Sequence, residues 1–426
     1  MIGTTPGRAH AAAESAGTRR HGRVLLVLPR ADHVRGYAPL ASVLADRGVE
    51  PIVVTGARDV PVRGEARRVA AEFYGAAGGG LSWLRLVLRR EITARQLMRR
   101  LAPDALVVPS DVSDALSAFV AAARRRRLPV VYVQGVPVFA DFPRLNAQMH
   151  ALRSRSRRFA GAAVQSLLRM VGIHVATGAK AVLGSRADHV LVMDEVQRQI
   201  HVRAGVPAER VRVTGAPFVD RLVALRRAFD GDARTRALAA VGIDGRVALV
   251  LTKSLHRLGW TTRAMHETLV REMVAAVRGE LPGSVCLVKL HPTETVDEYR
   301  ALLPDDANVR VVRDAPVEEL LLASDVAVSL GTSGAALSAR VLGTRLIVVT
   351  HPSIPMLGAH GDVAVDGGTV RSAAELRRRL RELRAATAPP AAAPTLDQVW
   401  ADGRASERIA DVLRAIVPSP PAGWRG

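Results

Sequence analysis

Residues Cys286-Leu287-Val288-Lys289-Leu290-His291-Pro292-Thr293-Glu294 form an apolar run that stops at a histidine held extended by the proline after it. Ser324-Asp325-Val326-Ala327-Val328-Ser329-Leu330-Gly331-Thr332-Ser333-Gly334 repeats the arrangement. A short apolar strand ends in a turn of small residues, and an Ala/Leu-rich helical segment follows up to Gly343. Small residues at a strand-to-helix turn let backbone amides approach an anion, and the helix N-terminus adds partial positive charge. In an open α/β sheet both turns fall at the carboxyl ends of strands, where such sheets bind ligands. The pair therefore reads as a diphosphate site, with His291, Pro292, Glu294, Gly331, Thr332, Ser333 and Gly334 as its candidate residues. For His291 the alternative is a capping or core histidine. Glu294 has two readings, a hydrogen bond to a ribose or a cap on the helix starting near Thr295.

Working outward, Val247–Leu251 is a strand that ends in Thr252-Lys253-Ser254-Leu255-His256-Arg257. Lys253, Ser254 and Arg257 join the anion-binding candidates; an ordinary basic loop is the other reading. Strands at 309–312 and 346–350, with a short helix at 317–323, complete a second α/β unit. Upstream, strand 23–28, helix 34–47 and strand 50–55 make a βαβ unit, followed by strands at 105–108, 130–133, 187–193 and 211–214. This pattern predicts two Rossmann-like α/β domains facing across a cleft. The expected divisions are a tail over 1–21, a first domain over 22–228, a second over 229–388, and a linker and terminal helix over 389–426. The chain is expected to cross between domains near 222–236, and the last helix, 405–416, to pack back on the first domain. The first-strand loop, Arg30-Ala31-Asp32-His33, carries no Gly-x-Gly-x-x-Gly, so the NAD fingerprint is missing.

Composition bounds the partners. The chain has 426 residues, 48% of them hydrophobic and 4% aromatic, which suits a helix-rich α/β protein. Its single cysteine excludes an intrachain disulfide and fits a reducing cytoplasm. A net charge of +20 calls for a polyanionic partner: nucleic acid, an anionic membrane face, or a phosphorylated substrate. No nucleic-acid motif accompanies the charge, which argues against the first. Residues 81–101, LSWLRLVLRREITARQLMRRL, form a basic amphipathic helix. It reads either as a helix packed on the sheet with a solvated arginine face, or as a docking surface for anionic lipid at the inner membrane face. No apolar run reaches membrane-spanning length, and residues 1–20 read as a tail rather than a signal peptide.

For a general base, Asp111 is the first choice because it follows a strand end in the first domain; Asp32 and His33, on the first loop, come second. Capping of the following helix is the alternative for each. No cluster has metal-ligand spacing, so neither metal nor cofactor is expected.

The order of elements resembles the GT-B fold, and the sequence echoes non-hydrolysing UDP-N-acetylglucosamine 2-epimerases and their glycosyltransferase relatives. The echoes are Tyr37-Ala38-Pro39-Leu40, Glu50 to Gly56, Ser110-Asp111, Pro129 to Gly135, Val213 to Asp220, His291-Pro292 and Thr332-Ser333-Gly334. His291-Pro292, the Thr-Ser turn and Asp402 to Ile409 also resemble CDP-glycerol glycerophosphotransferases and CMP-sugar transferases. Where the epimerases carry a glutamate after the third strand this chain has Gln134. Where they carry paired glutamates after the glycine turn it has Ala335, Ala336 and Leu337. An amide is no general base. The resemblance therefore implies a metal-independent glycosyltransferase moving a sugar from a nucleotide-diphosphate or CMP donor to a lipid-linked, cell-envelope or other small-molecule natural-product acceptor. A glycerophosphotransferase, an epimerase with altered acid/base groups and a non-enzymatic polyanion binder remain as alternatives.

Overall fold

The computed structural model describes residues 22–56, 66–70, 81–111, 113–135, 183–331, 333–354, 357, 367–385 and 401–417. The sequence-predicted tail (1–21), the alanine/proline linker, most of 144–184 and Thr332 lie outside them.

Two parallel sheets organise the chain. The first has strand order β3-β2-β1-β4-β5-β6-β7. Its strands are β1 (Arg23–Val27), β2 (Glu50–Thr55), β3 (Arg67–Ala70), β4 (Ala105–Val108), β5 (Val130–Val133), β6 (His189–Val192) and β7 (Val211–Val213). The second has order β10-β9-β8-β11-β12-β13. It comprises β8 (Arg246–Leu251), β9 (Ser284–Lys289), β10 (Val309–Val312), β11 (Val326–Leu330), β12 (Leu346–Val349) and β13 (Thr369–Val370).

The continuous apolar runs are explained by helices on both faces of each sheet. In the first sheet Leu25, Val27, Leu106 and Val108 face one core with α2 (Leu81–Leu101) and α3 (Asp114–Arg125). Val24, Leu26, Ala105 and Val107 face the opposite core with α1 (Ala31–Asp46) and the terminal helix. The remaining helices are α4 (Glu195–Arg203), α5 (Pro217–Ala228), α6 (Gly231–Ala239), α7 (Arg263–Glu280), α8 (Val296–Leu302), α9 (Val317–Ala323), α10 (Gly334–Leu342), α11 (Ala373–Ala385) and α12 (Ala405–Ile416).

The crossing region predicted at 222–236 is helical. Val219, Leu222 and Val223 of α5 enter a core formed with β8, α9 and α10 of the second sheet, and Arg221 pairs with Glu318 at 2.5 Å. On its other side, Asp220 of α5 accepts the amides of Ala405 and Ser406 at 3.0 and 2.6 Å. That contact satisfies two orphan donors at the start of α12. Arg408 adds a bond from Nε to the carbonyl of Thr214 at 2.9 Å. Fully buried Ile409 and Leu413 of α12 complete the first sheet's second core, each contributing about 1.5–3 kcal/mol.

Cys286, the lone thiol, is fully buried on β9, and burial pushes its pKa up to about 12. No helix among the described residues is long and apolar enough to cross a membrane.

Candidate active site

In both sheets the strand order reverses beside the first strand of the unit, between β1 and β4 and between β8 and β11. At such a reversal the loops leaving neighbouring strands run to opposite faces of the sheet, and open α/β sheets bind ligands in the crevice between them. The second sheet's reversal is flanked by four consecutive strands, β9, β8, β11 and β12, spanning about 15 Å.

His291 follows β9. Its Nδ1 accepts the Thr293 amide at 3.3 Å and lies 2.8 Å from the Thr293 hydroxyl. An accepting Nδ1 leaves the ring proton on Nε2, so the half-buried imidazole offers a donor. Burial lowers its pKa; Glu294 opposes this, and Lys253 and Lys289 reinforce it. Beneath the ring, Glu294 is 1% exposed and committed to internal bonds. Its Oε2 accepts the Thr252 hydroxyl at 2.5 Å and the His291 amide at 2.9 Å, and its Oε1 accepts the Tyr299 hydroxyl at 2.7 Å. Tyr299 in turn lies 2.9 Å from His266 Nε2. Neither reading of Glu294 from the sequence holds: its carboxylate is closed to a ribose, and it ties β8 to β9 instead of capping α8.

Lys253 follows β8 and sits 4.5 Å over the Trp260 ring. Burial brings its pKa down to about 8. Ser254, by contrast, is 1% exposed and turned inward, away from any ligand. Arg257 is exposed and places one guanidinium nitrogen 2.6 and 2.7 Å from the two carboxylate oxygens of Glu298 on α8. Ser254 is thus closed to solvent, its hydroxyl without a hydrogen-bond partner among the described residues, and Arg257 is engaged by α8. Lys289 also turns inward, donating to the Leu290 carbonyl at 2.9 Å.

After β11, Gly331 adopts φ +72°, and a Cβ there would collide with Leu357. Ser333 takes an extended conformation as the α10 cap and accepts the Ala336 amide at 3.4 Å. Gly334 opens α10, and a Cβ added to it meets nothing within 4 Å. The turn thus leaves room in front of a helix N-terminus. After β12, His351-Pro352-Ser353 repeats the His291 geometry, with the Ser353 amide 3.2 Å from His351 Nδ1. The sequence reading passed over His351, although its His-Pro-hydroxyl tripeptide matches His291-Pro292-Thr293. Pro292 is exposed beside His291.

At the first sheet's reversal the candidate bases separate. Asp111 is fully buried and accepts the amides of Gly184 at 2.8 Å and Arg186 at 2.7 Å. It braces two loops and is not placed to take a proton from an acceptor. Asp32 is paired with Arg30, whose Nε donates to it at 2.9 Å. Nδ1 of His33 is buried without a hydrogen-bond partner among the described residues. Burial, reinforced by Arg30, lowers the His33 pKa to about 4. Gln134, where the resemblance calls for a glutamate, is fully buried between the Met193 amide at 2.9 Å and Gln197 at 2.5 Å. Among the described residues no three His, Cys, Asp or Glu side chains are grouped to hold a metal ion.

Solved structures match this architecture over most of their length. A UDP-GlcNAc 2-epimerase from Methanocaldococcus jannaschii superposes with a TM-score of 0.61 at 12% identity, over 92% of this chain and 99% of the other. HepE from Anabaena, solved with UDP and glucose, gives 0.55 at 15%, over 93% and 100%. The calicheamicin glycosyltransferase CalG4 gives 0.57 at 17%, over 93% and 98%. The fold is GT-B. No protein-family model and no curated protein sequence matches the chain. Within the GT-B frame, β1–β7 form the amino-terminal sheet and β8–β13 the carboxyl-terminal one.

Proposed function

We propose that this protein is a glycosyltransferase moving a sugar from a nucleotide-diphosphate donor to a hydroxyl acceptor, lipid-linked or small-molecule. The observation that carries the reading is the row of loops after β9, β8, β11 and β12. They bring His291, Lys253, Gly331, Ser333, Gly334 and His351 to one edge, with the local carboxylate, Glu294, buried beneath. Such a surface offers hydrogen-bond donors and one ammonium where a diphosphate gathers charge as it leaves. HepE was solved with UDP, and that ligand class supports the same reading here.

In the proposed reaction the acceptor oxygen bonds to the sugar's anomeric carbon while the carbon–oxygen bond to the diphosphate breaks. The electron pair goes to the diphosphate, opposite His291 Nε2–H and Lys253. The acceptor proton goes to His33 across the crevice, giving inversion. This chemistry needs no metal. An epimerase is disfavoured by Gln134, which is an amide walled into the core.

Melting the protein with UDP, GDP, dTDP and CDP tests the donor site, because a ligand that binds only the folded state raises Tm. One of the four is expected to raise it, and His291→Ala to abolish the rise. No shift with any of them would overturn the reading.

A further inference from the structure

Among the described residues three large apolar side chains are exposed, and two of them, Leu88 and Ile92, lie one helical turn apart on α2. Around them the same face shows Arg85, Arg89, Arg95, Arg99 and Arg100 to solvent. The helix carries six arginines and one acid, Glu91. That glutamate is sunk to 4% exposure and already paired with Arg95 and with Arg125 of α3. The link to Arg125 brings the exposed run Arg124–Arg127, at the end of α3, beside the same surface.

Arginine abundance alone does not set α2 apart, since most helices of this chain are arginine-rich. Partnering does. On α7, Arg263 and Arg271 share Glu267; on α11, Arg378 and Arg379 share Glu382; on α12, Arg404 meets Glu407. Those helices carry their own counter-charge, whereas α2 has Glu91 as its one acid and holds Arg85, Arg99 and Arg100 exposed around Leu88 and Ile92.

We propose that α2, with the arginine-rich end of α3, docks on an anionic lipid bilayer. Guanidinium groups pair with headgroup phosphates while Leu88 and Ile92 enter the acyl boundary, the arrangement expected of a helix lying in the interface plane. A nucleic acid fits less well. The opposite side of α2, with Val87, Ala94, Leu97, Met98 and Leu101, is buried in the core, so a nucleic acid would meet the helix on the face that carries Leu88 and Ile92. Leu88 and Ile92 would also face phosphates. Because α2 leads down to β4 at the amino edge of its sheet, its first half, which includes Leu88, lies toward the carboxyl edge, with Ile92 at mid-helix. A bilayer there would present a lipid-borne acceptor to the site. The docking itself does not depend on the transferase reading.

Vesicle flotation of the full chain tests it. Vesicles of phosphatidylcholine with about 30 mol% phosphatidylglycerol are expected to bind the protein, and pure phosphatidylcholine to leave it in solution. Leu88→Glu with Ile92→Glu is expected to cut binding at least tenfold. Replacing Arg85, Arg99 and Arg100 by Gln is expected to cost about fivefold per charge. A control removing the same charge from α11, by Arg377→Gln, Arg378→Gln and Arg381→Gln, is expected to leave binding unchanged. If the first pair shifts Tm, Leu88→Gln with Ile92→Gln replaces it. Equal losses from the α2 and α11 triples would show that net charge alone governs binding and overturn the proposal. So would undiminished binding by either apolar pair, or binding to pure phosphatidylcholine as strong as to the anionic vesicles.

Discussion

Glu294 accepts the hydroxyl of Tyr299 at 2.7 Å, five residues further along, while its other oxygen holds Thr252 and the His291 amide. One buried carboxylate thereby fixes the ends of two strands and the backbone of the candidate diphosphate donor. Glu294→Ala removes the acceptor that three donors share and leaves them their weaker second partners, and we expect a loss of about 2–4 kcal/mol in urea unfolding. Tyr299→Phe removes one bond and is expected to cost about 1–2 kcal/mol. Equal, negligible losses for both would show that the carboxylate is not under this constraint.

Lys253 links nucleotide affinity to pH. Burial brings its pKa from 10.5 down to about 8, so its positive charge is present at neutrality and lost as pH rises through that value. The Tm gain from the bound nucleoside diphosphate should shrink between about pH 7 and pH 9. Lys253→Met should weaken binding about ten- to a hundredfold and flatten that profile. A profile unchanged by the substitution would remove Lys253 from the site.

His33 makes a separate pH prediction, for stability. Its folded pKa of about 4 lies below the ordinary 6.5. The unfolded chain therefore binds more protons between those values, and stability rises with pH across that window and levels off above it. The contribution is at most about 3 kcal/mol, and smaller in practice because the ring is only half-buried. Urea midpoints of His33→Asn should show a shallower slope from about pH 4 to 6.5 than the parent. At neutral pH the same variant should keep the nucleotide-induced Tm rise and lose transfer.

Asp111→Asn separates a brace from a base. Losing one of the two acceptors for Gly184 and Arg186 is expected to cost about 1–3 kcal/mol. Once folded, the variant should retain nucleotide binding and turnover. A fully stable but inactive Asp111→Asn would restore the residue to the chemistry.

Sequence alone exposed strands buried on both faces, because β4, β5 and β12 are unbroken apolar runs. It did not expose β3, whose Arg67 and Ala70 face solvent and whose only buried residue is Val69, nor the two-residue β13. Asp111 was misread because a carboxylate just past a strand end looks the same whether it meets a substrate or two amides from a distant loop. Tyr299 and His266 carried no local signal. They join Glu294 only when α7 and α8 pack beside β9. His351 was legible in principle, since it repeats the tripeptide around His291.

The seat of α12 against α5 bears on how the molecule is made. Ile409, Ala410 and Leu413 fill a core whose other members begin at Val24. During vectorial synthesis the first sheet therefore waits, with a raw apolar face, until residues 405–417 have left the ribosome. Only then does Asp220 receive the two amides it holds. Premature stops near residue 400 should consequently yield chaperone-bound or insoluble material rather than a smaller working protein.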